Sequence, residues 1–191
     1  MKTWACIAAC LCLAACGKMA PKNPLEASVA PTPAAYDCPS RYNFESAGDL
    51  APWQAPSWAG GFSGLSLNGL HSACGTGALK THFILNGSNT AVLYSVFNHG
   101  EDITGRIVTA NFYFDAPPPS DLGMQVFFID RNNNWLDPPA PSHYGLRQGW
   151  NQITENFSIP GVTDVVGILV QFTTNNGAAY VGDLWVDEIS W

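Results

Sequence analysis

Charge is what this chain has least of. Only 12% of its 191 residues are Asp, Glu, Lys or Arg, and 15 acids outnumber 8 bases, for a net charge of −7. Such a surface repels nucleic acid and suits neutral or cationic partners. The four histidines, His71, His82, His99 and His143, have no metal-binding spacing such as H-E-x-x-H, and no C-x-x-C pair supports zinc. There is no G-x-S-x-G elbow, and the acids are scattered through turns rather than paired across one cleft as glycoside hydrolysis requires. Residues 130–134 open like a calcium hand, but Trp135 stands where the loop needs Gly and Pro141 where it needs a bidentate Glu, which rejects that reading. No helical period runs through the mature chain, and no internal repeat is visible.

Apolar residues are plentiful, at 47% of the chain with 12% aromatic, enough to bury one good core. Alternation at period two recurs in short stretches separated by Gly, Pro and Asn. Residues 41–46 read as a first strand, and 48–64 as a long loop carrying Trp53 and Trp58. Residues 77–86 and 90–97 read as a hairpin around Gly87-Ser88-Asn89. Residues 105–116 form the strongest strand, with Val108, Ala110, Phe112 and Phe114 on a core face opposite Ile107, Thr109, Asn111 and Tyr113. Strands at 122–130, 150–159, 165–174 and 181–191 follow, and a loop at 131–145 holds Trp135 and Tyr144. Glu101-Asp102 reads as a solvated hairpin tip. About nine short strands predict an all-β sandwich of two antiparallel sheets.

The first residues carry a targeting pattern: Lys2, an apolar run of small residues, then Leu13-Ala14-Ala15-Cys16. This resembles a bacterial lipobox, which implies a signal peptide over 1–15, lipid on Cys16, and anchorage in the cell envelope, with Gly17 matching the outer-membrane sorting pattern. Residues 16–35, rich in Ala and Pro, read as a tether, leaving 36–191 as the folded domain. In that exported, oxidising setting the two remaining cysteines, Cys38 and Cys74, are expected to pair.

The order of motifs then resembles a family. Phe44-Glu45-Ser46-Ala47-Gly48-Asp49-Leu50 with Trp53, His71-Ser72 before Gly77-Ala78-Leu79-Lys80, residues 104–110 ending in Phe114-Asp115, Gly149-Trp150, Val165-Val166-Gly167-Ile168 and Val186-Asp187-Glu188-Ile189 are similar to the jelly-roll carbohydrate-binding modules attached to xylanases, glucanases and mannanases. The resemblance spans residues 37–191. It implies a two-sheet jelly roll, often with a structural Ca2+, that binds sugar on one sheet or at its rim. Carried over by position, it implies calcium ligands Glu45 and Asp187, with carbonyls from 72–75, although Ala73-Cys74 breaks the usual spacing there.

A sugar site needs flat aromatics for the ring face and amides or carboxylates for the hydroxyls. By alternation His82, Thr109, Asn111, Tyr113, Gln125 and Gln171 are expected on one sheet face, with Trp58, Trp135 and Tyr144 at its rim. Trp150, Trp185 and Trp191 are expected in the core, as Trp53 is in many such modules. The expected function is non-catalytic binding of a neutral polysaccharide or oligosaccharide. Two alternatives stand beside it: a lipoprotein adhesin or complex subunit without a glycan site, and a polysaccharide lyase using His82 or His99 with Tyr113.

Overall fold

Alternating side chains decide which way each strand faces. In β5 (Arg106–Phe114), Val108, Ala110, Phe112 and Phe114 are buried while Thr109, Asn111 and Tyr113 are half-exposed, as its alternation predicts. The same rule sends Ile168, Val170 and Phe172 of β9 (Val165–Thr174) and Met124, Val126 and Phe128 of β6 (Leu122–Asp130) inward. The computed structural model describes Cys38 and residues 40–86, 90–138, 142–157 and 160–191. The expected signal peptide, Cys16 and the expected tether lie outside the described residues, as do residues 87–89.

A single helical turn, α1 (Ala47–Leu50), precedes β1 (Trp53–Gln54) and β2 (Phe62–Leu67). Then come β3 (Leu79–Leu85), β4 (Thr90–Glu101), β5, β6, β7 (Trp135–Leu136), β8 (Gly149–Phe157), β9 and β10 (Tyr180–Ser190). They build two antiparallel five-stranded sheets, ordered β1-β4-β9-β6-β7 and β2-β3-β10-β5-β8. The protein is therefore an all-β jelly-roll sandwich. Phe172 sits at its centre, with the rings of Phe83, Phe112, Phe62 and Phe114 centred 5.2, 5.8, 5.7 and 6.1 Å away. A buried Phe of this kind contributes about 1.5–3 kcal/mol.

Three local expectations change. The strands flanking 87–89 are not a hairpin: β3 pairs with β2 and β10, and β4 with β1 and β9, so the chain crosses between sheets there. The hairpin pattern of polar turn residues between apolar runs also fits a crossover, because both begin by ending a strand. Residues 41–46 do not form a strand; Phe44 adopts φ 52° and only Tyr42 bridges Ile189. Head and tail of the domain thus meet through one bridge, with Tyr42 N donating to Ile189 O at 3.1 Å and Ile189 N to Tyr42 O at 3.0 Å. Glu101 is no solvated tip, since it ends β4 against Arg41 and accepts Trp191 Nε1 at 3.2 Å.

Candidate functional site: an aromatic sheet face

Each sheet has one face in the core and one outside, and the two outer faces differ in chemistry. On the β1-β4-β9-β6-β7 sheet, register aligns Gln54, Tyr94, Leu169 and Phe127 in one row and Val92, Gln171 and Gln125 in the next. Val96, Gly167, Ile129 and Trp135 form the row on one side, and Thr90, Thr173 and Gly123 the row on the other. No Asp or Glu stands in these rows. Trp135 lies at the sheet edge, its ring 5.5 Å from Phe127 and 6.0 Å from Trp58, both edge-to-face. Trp58 is 64% exposed and Trp135 40%, so two indoles stay in water beside a small buried cluster of Val92, Phe127 and Leu169 that Ala59 and Tyr94 pack against. Aromatic rings left wet at such a place mark a ligand surface more than a core edge.

The loop before β7 owes its shape to Asp130. Its Oδ1 accepts the amides of Asn132 and Asn134, both at 2.8 Å, and its Oδ2 the Asn134 amide group at 2.8 Å. This carboxylate organises the loop that leads into Trp135.

At the far end of the face, Tyr144 lies flat over Gly123. A Cβ at Gly123 would fall 2.5 Å from the Tyr144 ring, so only glycine lets the ring settle on β6. The Tyr144 hydroxyl also takes the Asn175 amide at 3.3 Å. Between the two aromatic ends, Gln125 and Gln171 face each other across β6 and β9, and Gln125 Oε1 accepts the Ser142 hydroxyl at 3.1 Å. From Gly123 to Phe127 the strand advances roughly 13 Å, room for several sugar rings. Sequence reading did not select Gln54, Tyr94, Ser142 and Asn175. Tyr94 could have been found by alternation from Val92; the others reach the face from a two-residue strand and from loops.

The expectation of one shared face is corrected here. His82, Thr109, Asn111 and Tyr113 lie on the outer face of the other sheet, because β3 and β5 flank β10 while β6 and β9 belong to the sheet with Trp135. That second face is covered in part, while Ile84, Ile107 and Val181 on it stay exposed. The loop 68–77 lies on it, stacking His71 on Tyr113 at 3.7 Å and edging Trp185 at 4.6 Å, while Asn68 accepts Trp185 Nε1 at 3.2 Å. Trp185 is thus buried beneath a loop rather than in the core between the sheets. His82 is engaged with Asp183 at 3.0 Å, and Lys80 holds the same carboxylate at 2.5 Å. His82 and Tyr113 stand two strands apart, roughly 10 Å, too far to share one proton-transfer step.

Glu45 and Asp187 do meet a common element, the loop carrying Cys74, and Cys74 is bonded to Cys38 in the expected disulfide. Their partners are amides. Glu45 accepts Thr76 N and Oγ1, both at 2.7 Å, and Gly77 N at 2.8 Å. Asp187 accepts Ala73 N at 2.7 Å, Cys74 N at 3.2 Å and Glu188 N at 2.8 Å. The carbonyls of Cys74 and Gly75 turn instead to the Ser72 hydroxyl, at 3.1 and 2.9 Å. Calcium needs oxygens directed at it. Here the loop presents N–H groups to both carboxylates, so the donor set does not fit a calcium ion. Burial pushes Asp187 up to about 6, while the Cys74, Ala73 and Glu188 amides hold it from rising further. At Glu45, desolvation alone would raise the titration, but the Thr76 hydroxyl and the Gly77 and Thr76 amides outweigh it and leave it below the ordinary range.

No family model matches this chain, and no curated protein matches it. Solved structures do. A carbohydrate-binding module of family 28, specific for non-crystalline cellulose, superposes with a TM-score of 0.60 at 15% identity, over 78% of this chain and 92% of that one. A second match, from work on promiscuous specificity in β-sandwich carbohydrate-binding modules, gives 0.56 at 15% identity over 80% of this chain and 61% of that one. An arabinose-bound α-L-arabinofuranosidase gives 0.52 at 13% identity, over 79% of this chain but 24% of the enzyme. The likeness is one of fold: the jelly-roll sandwich of carbohydrate-binding modules.

Proposed function

We propose that the domain binds a neutral polysaccharide or oligosaccharide along the β1-β4-β9-β6-β7 face without cutting it, as a lipid-anchored module of the bacterial cell envelope. The observation that carries this is the pairing of wet indoles at one end, Trp58 and Trp135, with the Gln125–Gln171 amides and Tyr144 further along one face. Indoles offer flat apolar surface to the C–H face of a sugar ring, and the amides both donate to and accept from its hydroxyls. The fold shared with carbohydrate-binding modules supports the same reading. A hydrolase would need two carboxylates across the scissile bond, and these rows supply none.

The test is calorimetric titration of soluble polysaccharides into the parent and into Trp135→Ala. Loss of the platform is expected to weaken binding at least tenfold, about 1.4 kcal/mol, with a melting temperature near the parent's because the ring is exposed. Unchanged affinity in the variant counts against the face. A parent that retains no glycan at all, yet co-purifies a protein, supports the adhesin or complex-subunit reading instead.

A further inference from the structure

A cavity of about 310 Å³ opens between the loop 143–147 and the edge strand β8, lined by His143, Tyr144, Arg147, Asn151 and Gln152 among others. Tyr144 belongs both to this cavity and to the proposed glycan face, where it covers Gly123. A chain lying along the face from Trp135 past Gln125 therefore reaches the cavity mouth at Tyr144.

The cavity is a built feature. His143 exchanges two backbone hydrogen bonds with Met124, at 2.9 and 2.7 Å, which docks the loop on β6. Its Nε2 stands 3.0 Å from Glu155, whose side chain is wholly buried on β8, so one side-chain contact joins the loop to the opposite sheet. Asn151 closes the other end, accepting Arg147 N at 2.9 Å and donating to Arg147 O at 2.8 Å.

Its charge is unusual for this protein. Five Lys and Arg side chains occur among the described residues. Arg41, Lys80 and Arg131 each hold a carboxylate at ion-pair distance, and Arg106 acts on Asp102. Arg147 holds none among the described residues. Glu155, the carboxylate beneath the cavity, is committed to His143. Arg147 is one of the residues lining the cavity, and a guanidinium recognises a carboxylate by charge-assisted, two-pronged hydrogen bonding.

We infer that this cavity is an end subsite of the glycan face, and that it takes a terminal or branching sugar carrying a carboxylate. The inference rests on the glycan reading above and adds a substrate class to it: a neutral backbone with an acidic end. Arg147 meets the carboxylate, and Gln152 and Tyr144 flank the ring.

The experiment titrates matched oligosaccharide pairs from cellulose, xylan and mannan, each neutral or oxidised to a carboxylate at one end, into the parent and into Arg147→Gln. The parent is expected to bind the acidic member roughly tenfold more tightly, with the advantage shrinking as salt rises. Arg147→Gln is expected to lose that advantage and keep the parent's affinity for the neutral member. Equal affinity for both members in the parent overturns the subsite and leaves the glycan face standing. So does an advantage that survives in Arg147→Gln. If no oligosaccharide binds, the glycan reading itself falls, and the subsite with it.

Discussion

Replacing both Cys38 and Cys74 with Ser tests how the head of the domain is tied to the loop between β2 and β3. The bond spans a separation of 36 residues, so in the chain-entropy account its loss frees the unfolded chain by about 3–4 kcal/mol. The folded side should change less. Ala73 and Cys74 still give amides to Asp187, Thr76 and Gly77 still serve Glu45, and His71 still stacks on Tyr113. For a domain of this size each kcal/mol moves the melting temperature by about 2–4 °C, so a fall of roughly 6–16 °C is expected by scanning calorimetry. The parent under chelator is the necessary companion. Since the loop turns amides toward both carboxylates, chelator and millimolar calcium should each leave the parent's melting temperature within about 2 °C. A serine double variant that melts with the parent would refute the covalent tie. A clear drop under chelator would refute the amide cradle and restore Glu45 and Asp187 as calcium ligands.

Asp187 also predicts a pH signature. Its titration is raised to about 6 from the ordinary 3.8, so its contribution to stability is complete below about 4 and is lost as pH rises through about 6. In urea unfolding, Asp187→Asn should therefore gain on the parent between those limits, by up to about 3 kcal/mol, whatever constant penalty the amide brings; a difference that stays flat across this range would contradict the shift. For the anchor, Cys16→Ser is expected to move the protein from the membrane fraction to the soluble fraction, and unchanged fractionation would end the lipid proposal.

Much of the fold was legible because burial imposes a period. The alternation of β5 and β9 announced their inward faces, and the Gly and Pro punctuation announced many short strands. The disulfide was legible too, since the expected signal peptide would take the other cysteines away and an exported setting would favour the union of the two that remain. Trp58, Trp135 and Tyr144 stood out as large aromatics in polar loops, and all three prove to be exposed and on one side of the molecule.

Alternation says which residues of a strand share a side, but not which strands are neighbours. That is why His82, Asn111 and Tyr113 were grouped with Gln125 and Gln171, when β3, β10 and β5 form one sheet and β9 and β6 the other. Likewise Asp187 is visible as an acid in an apolar strand, but whether carbonyl oxygens or amide hydrogens come to it depends on how the loop 72–77 turns. Period and composition alone indicated two layers and the residues that fill them. The folded packing alone settled which strands lie side by side and which groups each loop turns toward its partners, because strand pairing and loop polarity are set by contacts between residues far apart in the chain.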